Sequence, residues 1–174
     1  MPKRSPAIAG SKATPIASTR AIAAWCLYDW ANSAFPTVIQ TFVFSTYFTM
    51  AVADSPAAGT ALWGWAMSIS GLAIALFGPV AGAIADHSGP RKPWLAALSV
   101  LCVVATAGLW YTRPQTSDVA WALLFVMLAN FAFEMGTVFY NAMLADIAPA
   151  ERVGRISGWA WGTGYAGGLI CLLV

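Results

Sequence analysis

From Ile22 onward the chain is built of five apolar runs, about 22–52, 61–85, 94–111, 119–145 and 156–174, broken by only two charged side chains, Asp29 and Glu134. A bilayer's hydrocarbon core is spanned by roughly 20 residues of helix, and an apolar stretch of about 18 or more reads as such a span. Five spans are therefore expected, with short connections between them. The first run exceeds the required length and contains Pro36, so it is expected to tilt or to project beyond the bilayer. The expected organisation is a basic, flexible cytoplasmic tail over residues 1–20 and a transmembrane domain over 21–174.

Composition supports a lipid solvent: 59% of residues are hydrophobic and 9% charged, against about 25% charged in an ordinary soluble domain. The net charge of +2 is spread among hydrophobic blocks, which leaves no continuous basic face for nucleic acid. His87 is the only histidine, so neither a histidine-based metal site nor a Ser/His/Asp triad can be assembled. No metal and no cofactor is expected. Cys26, Cys102 and Cys171 lie in apolar runs without metal or redox spacing and read as small buried hydrophobes.

Lys and Arg beside short loops are retained on the cytoplasmic side. With the N-terminus inside, that side receives Lys3, Arg4, Lys12, Arg20, Arg91, Lys92, Arg152 and Arg155, and the other side only Arg113. Trp25, Trp94, Trp159 and Trp161 would then mark the inner interface. Trp63, Trp65, Trp110, Tyr111 and Trp121 would mark the outer one. The sequence stops inside an apolar run, Gly167 to Val174, without a polar flank. The expectation is a fragment that does not transport alone and whose partners include missing C-terminal helices; a complete protein of five spans is the alternative.

The second and third runs are joined by Gly82-Ala-Ile-Ala-Asp86-His-Ser-Gly89-Pro-Arg91-Lys92. Gly82 allows close helix approach, Asp86 can cap or face a neighbouring helix N-terminus, and Gly89 with Pro90 makes a tight reversal. Arg91 and Lys92 can pair with Asp146 or Glu151 beyond the fourth run. The plainer reading is a polar loop whose cations merely enforce topology.

This segment resembles the signature loop of the major facilitator superfamily, Gly-x-x-x-Asp-x-x-Gly-x-Arg-Lys/Arg. The resemblance implies that Gly82, Asp86, Gly89, Arg91 and Lys92 help lock an inward-closed arrangement through a charge network. Pro90 stands where many members carry a cation. Three further stretches resemble the vacuole-effluxer-like permeases, named for fungal vacuolar amino-acid exporters active in autophagy: Trp25 to Phe35, Phe139 to Leu144 and Ser157 to Gly168. The implied fold is an all-α membrane protein, the N-terminal five helices of a major-facilitator-type twelve-helix transporter in two halves. The implied setting is a bacterial inner membrane, and the implied solute class is amino acids.

Independently of any family, polar residues form two stripes. Asp29, Ser33, Pro36 and Gln40 are spaced i, i+4, i+7, i+11 on one helix face, and Asn130, Glu134, Thr137 and Asn141 repeat the spacing. Antiparallel helices would bring Asp29 to the depth of Asn141, Ser33 and Pro36 to that of Glu134, and Gln40 to that of Asn130. The two stripes are expected to face one aqueous path, because ionisable groups at that depth cost roughly 2.5–3.5 kcal/mol unless they face water or a partner. Glu134, near mid-span, is the candidate for carrying a proton or binding a cationic group. A neutral carboxyl that only joins helices is the plainer alternative, and for Asp29 a structural role weighs equally. Gly158, Gly162, Gly164, Gly167 and Gly168 in the fifth run, with Gly71, Gly78 and Gly82 in the second, are expected at close helix contacts.

The reading is a secondary carrier that moves a small solute, with or without protons, across the lipid bilayer by alternating access. A membrane-embedded enzyme using Asp29 or Glu134, and a non-transporting scaffold, are the other classes considered. The enzyme lacks a metal set, an activated nucleophile and a cofactor motif.

Overall fold

Ser18 caps the first helix: its side-chain oxygen accepts a hydrogen bond from the Ala21 amide at 3.3 Å. The computed structural model describes residues 18–87 and 91–174. Lys3, Arg4, Lys12 and Gly89 lie outside the described residues. Thr19 and Arg20, expected within the tail over 1–20, are the first residues of the first helix.

Among the described residues all regular structure is helical. Four helices are long and apolar enough to cross a membrane: Thr19–Val52, Pro56–His87, Arg91–Tyr111 and Thr116–Ile147. The fifth helix, Val153–Leu173, has 21 residues, about 31 Å at 1.5 Å per residue, which matches the bilayer core. Its glycines, serine, threonine and tyrosine dilute its hydropathy, and it falls outside that set. The observed helices exceed most of the expected runs by a few residues, because polar caps and charged ends remain helical. One consequence is that Asp146, expected after the fourth span, belongs to its last turn.

Pro36 shapes the first helix. Without an amide hydrogen it cannot close the normal i to i−4 bond, and the chain widens into a π-helical stretch over Phe35–Phe42. The Val43 amide there reaches back five residues to the Val38 carbonyl at 3.0 Å. A second π-helical stretch, Phe48–Val52, ends the helix. Ser55 then caps the second helix through the Ala58 amide at 3.3 Å. Gly59 is required at that corner, since a Cβ there would sit 2.9 Å from the Thr49 Cα.

The fourth helix is the centre of the bundle. It packs against the third and the second helices, while the fifth packs chiefly against the first. Three apolar clusters follow one another along it. Trp25, Leu95, Met135, Phe139 and Ile156 form one; Phe35, Cys102, Ala129 and Ala132 form the next; Phe44, Phe48, Leu109, Ala122 and Val126 form the third. Small alanines on the fourth helix, fully buried, let its neighbours come close. Outward, Leu72, Leu76, Phe77, Val103 and Val104 are exposed, as expected of a surface solvated by lipid tails.

One expectation about the interfaces changes. Trp25 is 6% exposed and stacked in the core, so it does not serve as a membrane-surface anchor, and Trp63, half-buried, packs on Phe48. Cys26 and Cys102 are buried as expected, but Cys171 is exposed on the last turn of the fifth helix, where no neighbour covers it.

Candidate functional site

The polar face of the first helix meets that of the fourth across a cavity of about 800 Å3. Asp29, Ser33, Pro36, Thr37 and Thr41 line it from the first helix. Phe133, Glu134, Thr137, Tyr140 and Asn141 line it from the fourth, and Trp161, Gly164, Tyr165, Leu169 and Leu172 from the fifth. Five of the residues expected on a shared path, Asp29, Ser33, Glu134, Thr137 and Asn141, are thus brought to one wall. A second cavity, of about 830 Å3 between the first and third helices, is lined by no acidic or basic side chain.

Gln40 and Asn130 do not line the polar cavity. The Gln40 side-chain amide donates to the Asn130 carboxamide oxygen, and Asn130 donates to the Ser70 hydroxyl at 2.8 Å. Their helices do meet at this depth, as the antiparallel register requires. At 7% exposure, however, Asn130 is sealed into a polar tie between the first, fourth and second helices. Burial of Asn130 demands such pairing.

The two carboxyls differ from this pair. Among the described residues, neither the Asp29 nor the Glu134 carboxyl takes part in a hydrogen bond or an ion pair. Each is half-buried and opens on the cavity. Glu134 lies 15 residues after Val119 and 13 before Ile147, in mid-helix. Among the described residues Glu134 has no donor beside it.

Hydroxyl groups around the carboxyls are committed to the backbone. Ser33 donates to the Asp29 carbonyl at 2.8 Å, Thr37 to Ser33 at 2.8 Å, Thr41 to Pro36 at 2.8 Å and Thr137 to Phe133 at 3.0 Å. Such back-bonding satisfies the donor locally and leaves oxygen lone pairs facing outward. Tyr140 likewise donates to the Trp25 carbonyl at 3.2 Å.

Glycines divide into two groups. A Cβ on Gly164 would meet the Asp29 carboxyl and the Ser33 hydroxyl, one on Gly167 the Trp30 carbonyl, and one on Gly168 the Thr37 side chain. These three admit the first helix against the fifth. Gly71, Gly78, Gly82, Gly158 and Gly162, also expected at close contacts, have nothing within 4 Å of an added Cβ. They point away from the other helices of this chain, a fact that spacing alone cannot reveal.

At the junction of the second and third helices, Arg91 gathers three acceptors. Its Nε donates to the Ala85 carbonyl at 2.6 Å, and its Nη1 to the Ala142 carbonyl at 3.0 Å and to the Asp146 carboxylate. One guanidinium therefore joins the end of the second helix to the end of the fourth. Lys92, Asp86 and Glu151 are exposed, and none of them forms an ion pair among the described residues.

Sequence reasoning missed Asn32, Thr37, Tyr140, Trp161 and Tyr165. Thr37 lies four residues after Ser33 and Tyr140 three after Thr137, so their faces were readable. Trp161 and Tyr165 sit in a span without a charged residue, where nothing set them apart.

A multi-pass helical membrane protein with a polar cavity between its helices is the class that fold and site define. The chain matches the Major Facilitator Superfamily over residues 2–172 and belongs to that family, whose members are transporters and not enzymes. It is 35% identical over 155 residues to an uncharacterized MFS-type transporter, YxiO, of Bacillus subtilis (strain 168), an alignment covering 86% of this chain and 35% of that protein. The chain therefore spans about a third of the length of this relative. No solved structure matches it.

Proposed function

We propose that these helices form part of a secondary transporter that moves a small solute by alternating access, with the cavity between the first, fourth and fifth helices on the solute path. The observation that carries this reading is the pair Asp29 and Glu134. They are the only charges inside the five apolar runs, and both open unpartnered on one cavity. Amino acids are the solute class suggested by the vacuole-effluxer resemblance; the cavity lining, without Lys, Arg or His, offers carboxyls to their ammonium group and no cation to their carboxylate.

Glu134 carries the coupling proton in this scheme. A mid-span carboxyl exposed to each side in turn can load and release one proton per cycle. Arg91, with Asp146 and the backbone carbonyls of Ala85 and Ala142, holds the loop side closed; the signature-loop resemblance adds Gly82, Asp86, Gly89, Lys92 and Glu151 to that lock. The membrane is a bacterial inner membrane with the N-terminus in the cytoplasm, supported by the distribution of Lys and Arg and by the bacterial relative.

Solute flux in proteoliposomes under an imposed proton gradient tests the reading, with this chain alone and, where a longer polypeptide carries it, with that polypeptide. A carrier moves solute unchanged, an enzyme alters it and a scaffold does neither. Glu134→Gln is expected to abolish gradient-driven uphill flux. Undiminished uphill flux in this variant removes Glu134 from the coupling role.

A further inference from the structure

The cavity that carries the proposed transport also states what kind of solute suits it. Seventeen residues line it, and none is Lys, Arg or His. Two are carboxyls, Asp29 and Glu134. The Ser33, Thr37, Thr41 and Thr137 hydroxyls and that of Tyr140 have each spent their hydrogen on a backbone carbonyl. What they present to the cavity is lone pairs. The wall thus holds two carboxyls and more acceptors than donors, the donors being the Asn32 and Asn141 amides, the Trp161 indole N–H and the Tyr165 hydroxyl.

An anion entering such a space would lose water, meet carboxyl groups and find no cation to replace its hydration. A protonated amine brings up to three N–H donors and a positive charge, which complement the carboxyls and acceptors of this wall. Around the carboxyls, Phe42, Phe133, Trp161 and Tyr165 add apolar faces. Aromatic faces both cover an apolar body and attract a cation through the ring quadrupole. At about 800 Å3, the space is of the size that small-molecule sites use. The second cavity, similar in volume but without a carboxyl, shows that this acceptor-rich lining is not a general property of grooves in the bundle.

We infer that the cavity recognises its solute through a positive charge, and that the transported class is a small organic cation: a protonated primary or secondary amine on an apolar or aromatic body. Asp29 and Glu134 supply the counter-charge, and the back-bonded hydroxyls accept the remaining N–H groups. This rests on the cavity being the solute path.

Three probes of one shape and different charge test the inference by titration calorimetry on the purified chain in lipid nanodiscs at neutral pH. They are phenethylammonium, 2-phenylethanol and 3-phenylpropionate. Phenethylammonium is expected to bind saturably and at least about tenfold tighter than the alcohol, with no binding of the carboxylate. Asp29→Asn and Glu134→Gln are each expected to erode this preference, and together to abolish it. Comparable binding of all three probes, tighter binding of 3-phenylpropionate, or absence of phenethylammonium binding would each overturn the inference. The probe series on the unmodified chain decides the matter even where a variant fails to fold. The transport reading is judged apart, by flux. Saturable amine binding without flux removes transport and keeps the recognition, whereas flux of anions does the reverse.

Discussion

Trp25 and Tyr140 hold each other three ways: the Trp25 indole N–H donates to the Tyr140 carbonyl at 3.1 Å, the Tyr140 hydroxyl donates to the Trp25 carbonyl at 3.2 Å, and their rings stack at 4.3 Å, within 1° of parallel. Tyr28 also stacks with Tyr140 at 5.2 Å and bonds Ser99 on the third helix at 2.7 Å. This joint fixes how far apart the first and fourth helices stand, and hence the width of the cavity beside it.

Tyr140→Phe keeps the stack and loses one hydrogen bond, at an expected cost of about 1 kcal/mol. Trp25→Ala loses the ring and leaves a void, at about 3–5 kcal/mol. Thermal unfolding in detergent reads both. Single effects that simply add in the double variant would show that the two side chains do not act as one joint.

Gly167→Ala and Gly162→Ala should separate widely. The first places a Cβ against the Trp30 carbonyl of the neighbouring helix, overpacking expected to cost about 1–3 kcal/mol. At Gly162 the space is open, and the better helix propensity of alanine predicts a gain of up to about 1 kcal/mol. Equal thermal midpoints for the two variants would contradict the close approach of the first helix to the fifth at Gly167.

Arg91→Ala removes three acceptor contacts, two of them to helix-end carbonyls. The expected loss is about 2–3 kcal/mol, with faster protease cleavage at the connection between the second and third helices. Arg91→Lys should recover little of it, because an ammonium cannot reproduce the planar fork. Lys92→Ala, at an exposed position, should stay within about 0.5 kcal/mol. Matching protease sensitivity of the Arg91→Ala and Lys92→Ala proteins would count against the assignment.

Asn130→Leu leaves the Gln40 amide and the Ser70 hydroxyl without their partner, at an expected cost of about 1–3 kcal/mol. Replacing all three by apolar residues of similar shape, with Gln40→Met and Ser70→Ala added, should return most of it, since no buried polar group is then left unpaired. A triple variant less stable than the single one would show that the tie contributes more than mutual satisfaction.

Much of this architecture was legible in the chain. Long uncharged runs force helices in lipid, because every backbone polar group must be satisfied within its own segment. The 3.6-residue period then fixed which side chains share a face, and this brought Asp29, Ser33, Glu134, Thr137 and Asn141 to one cavity wall. The same period could not show that Gln40 and Asn130 pair with each other and with Ser70 on a third helix instead of lining that cavity. It also could not sort Gly164 from Gly162, two positions apart and opposite in consequence.

What the sequence determined by itself is therefore the solvent of the protein, its helices and the two faces on which charge survives, since hydropathy and helical period are properties of a single segment. Only the tertiary structure decided which polar groups satisfy one another and which stay open to a cavity. That outcome depends on neighbours far apart in the chain, such as Gln40 and Asn130, or Trp25 and Tyr140. No local pattern encodes the distance between two helices; the packing of their side chains sets it.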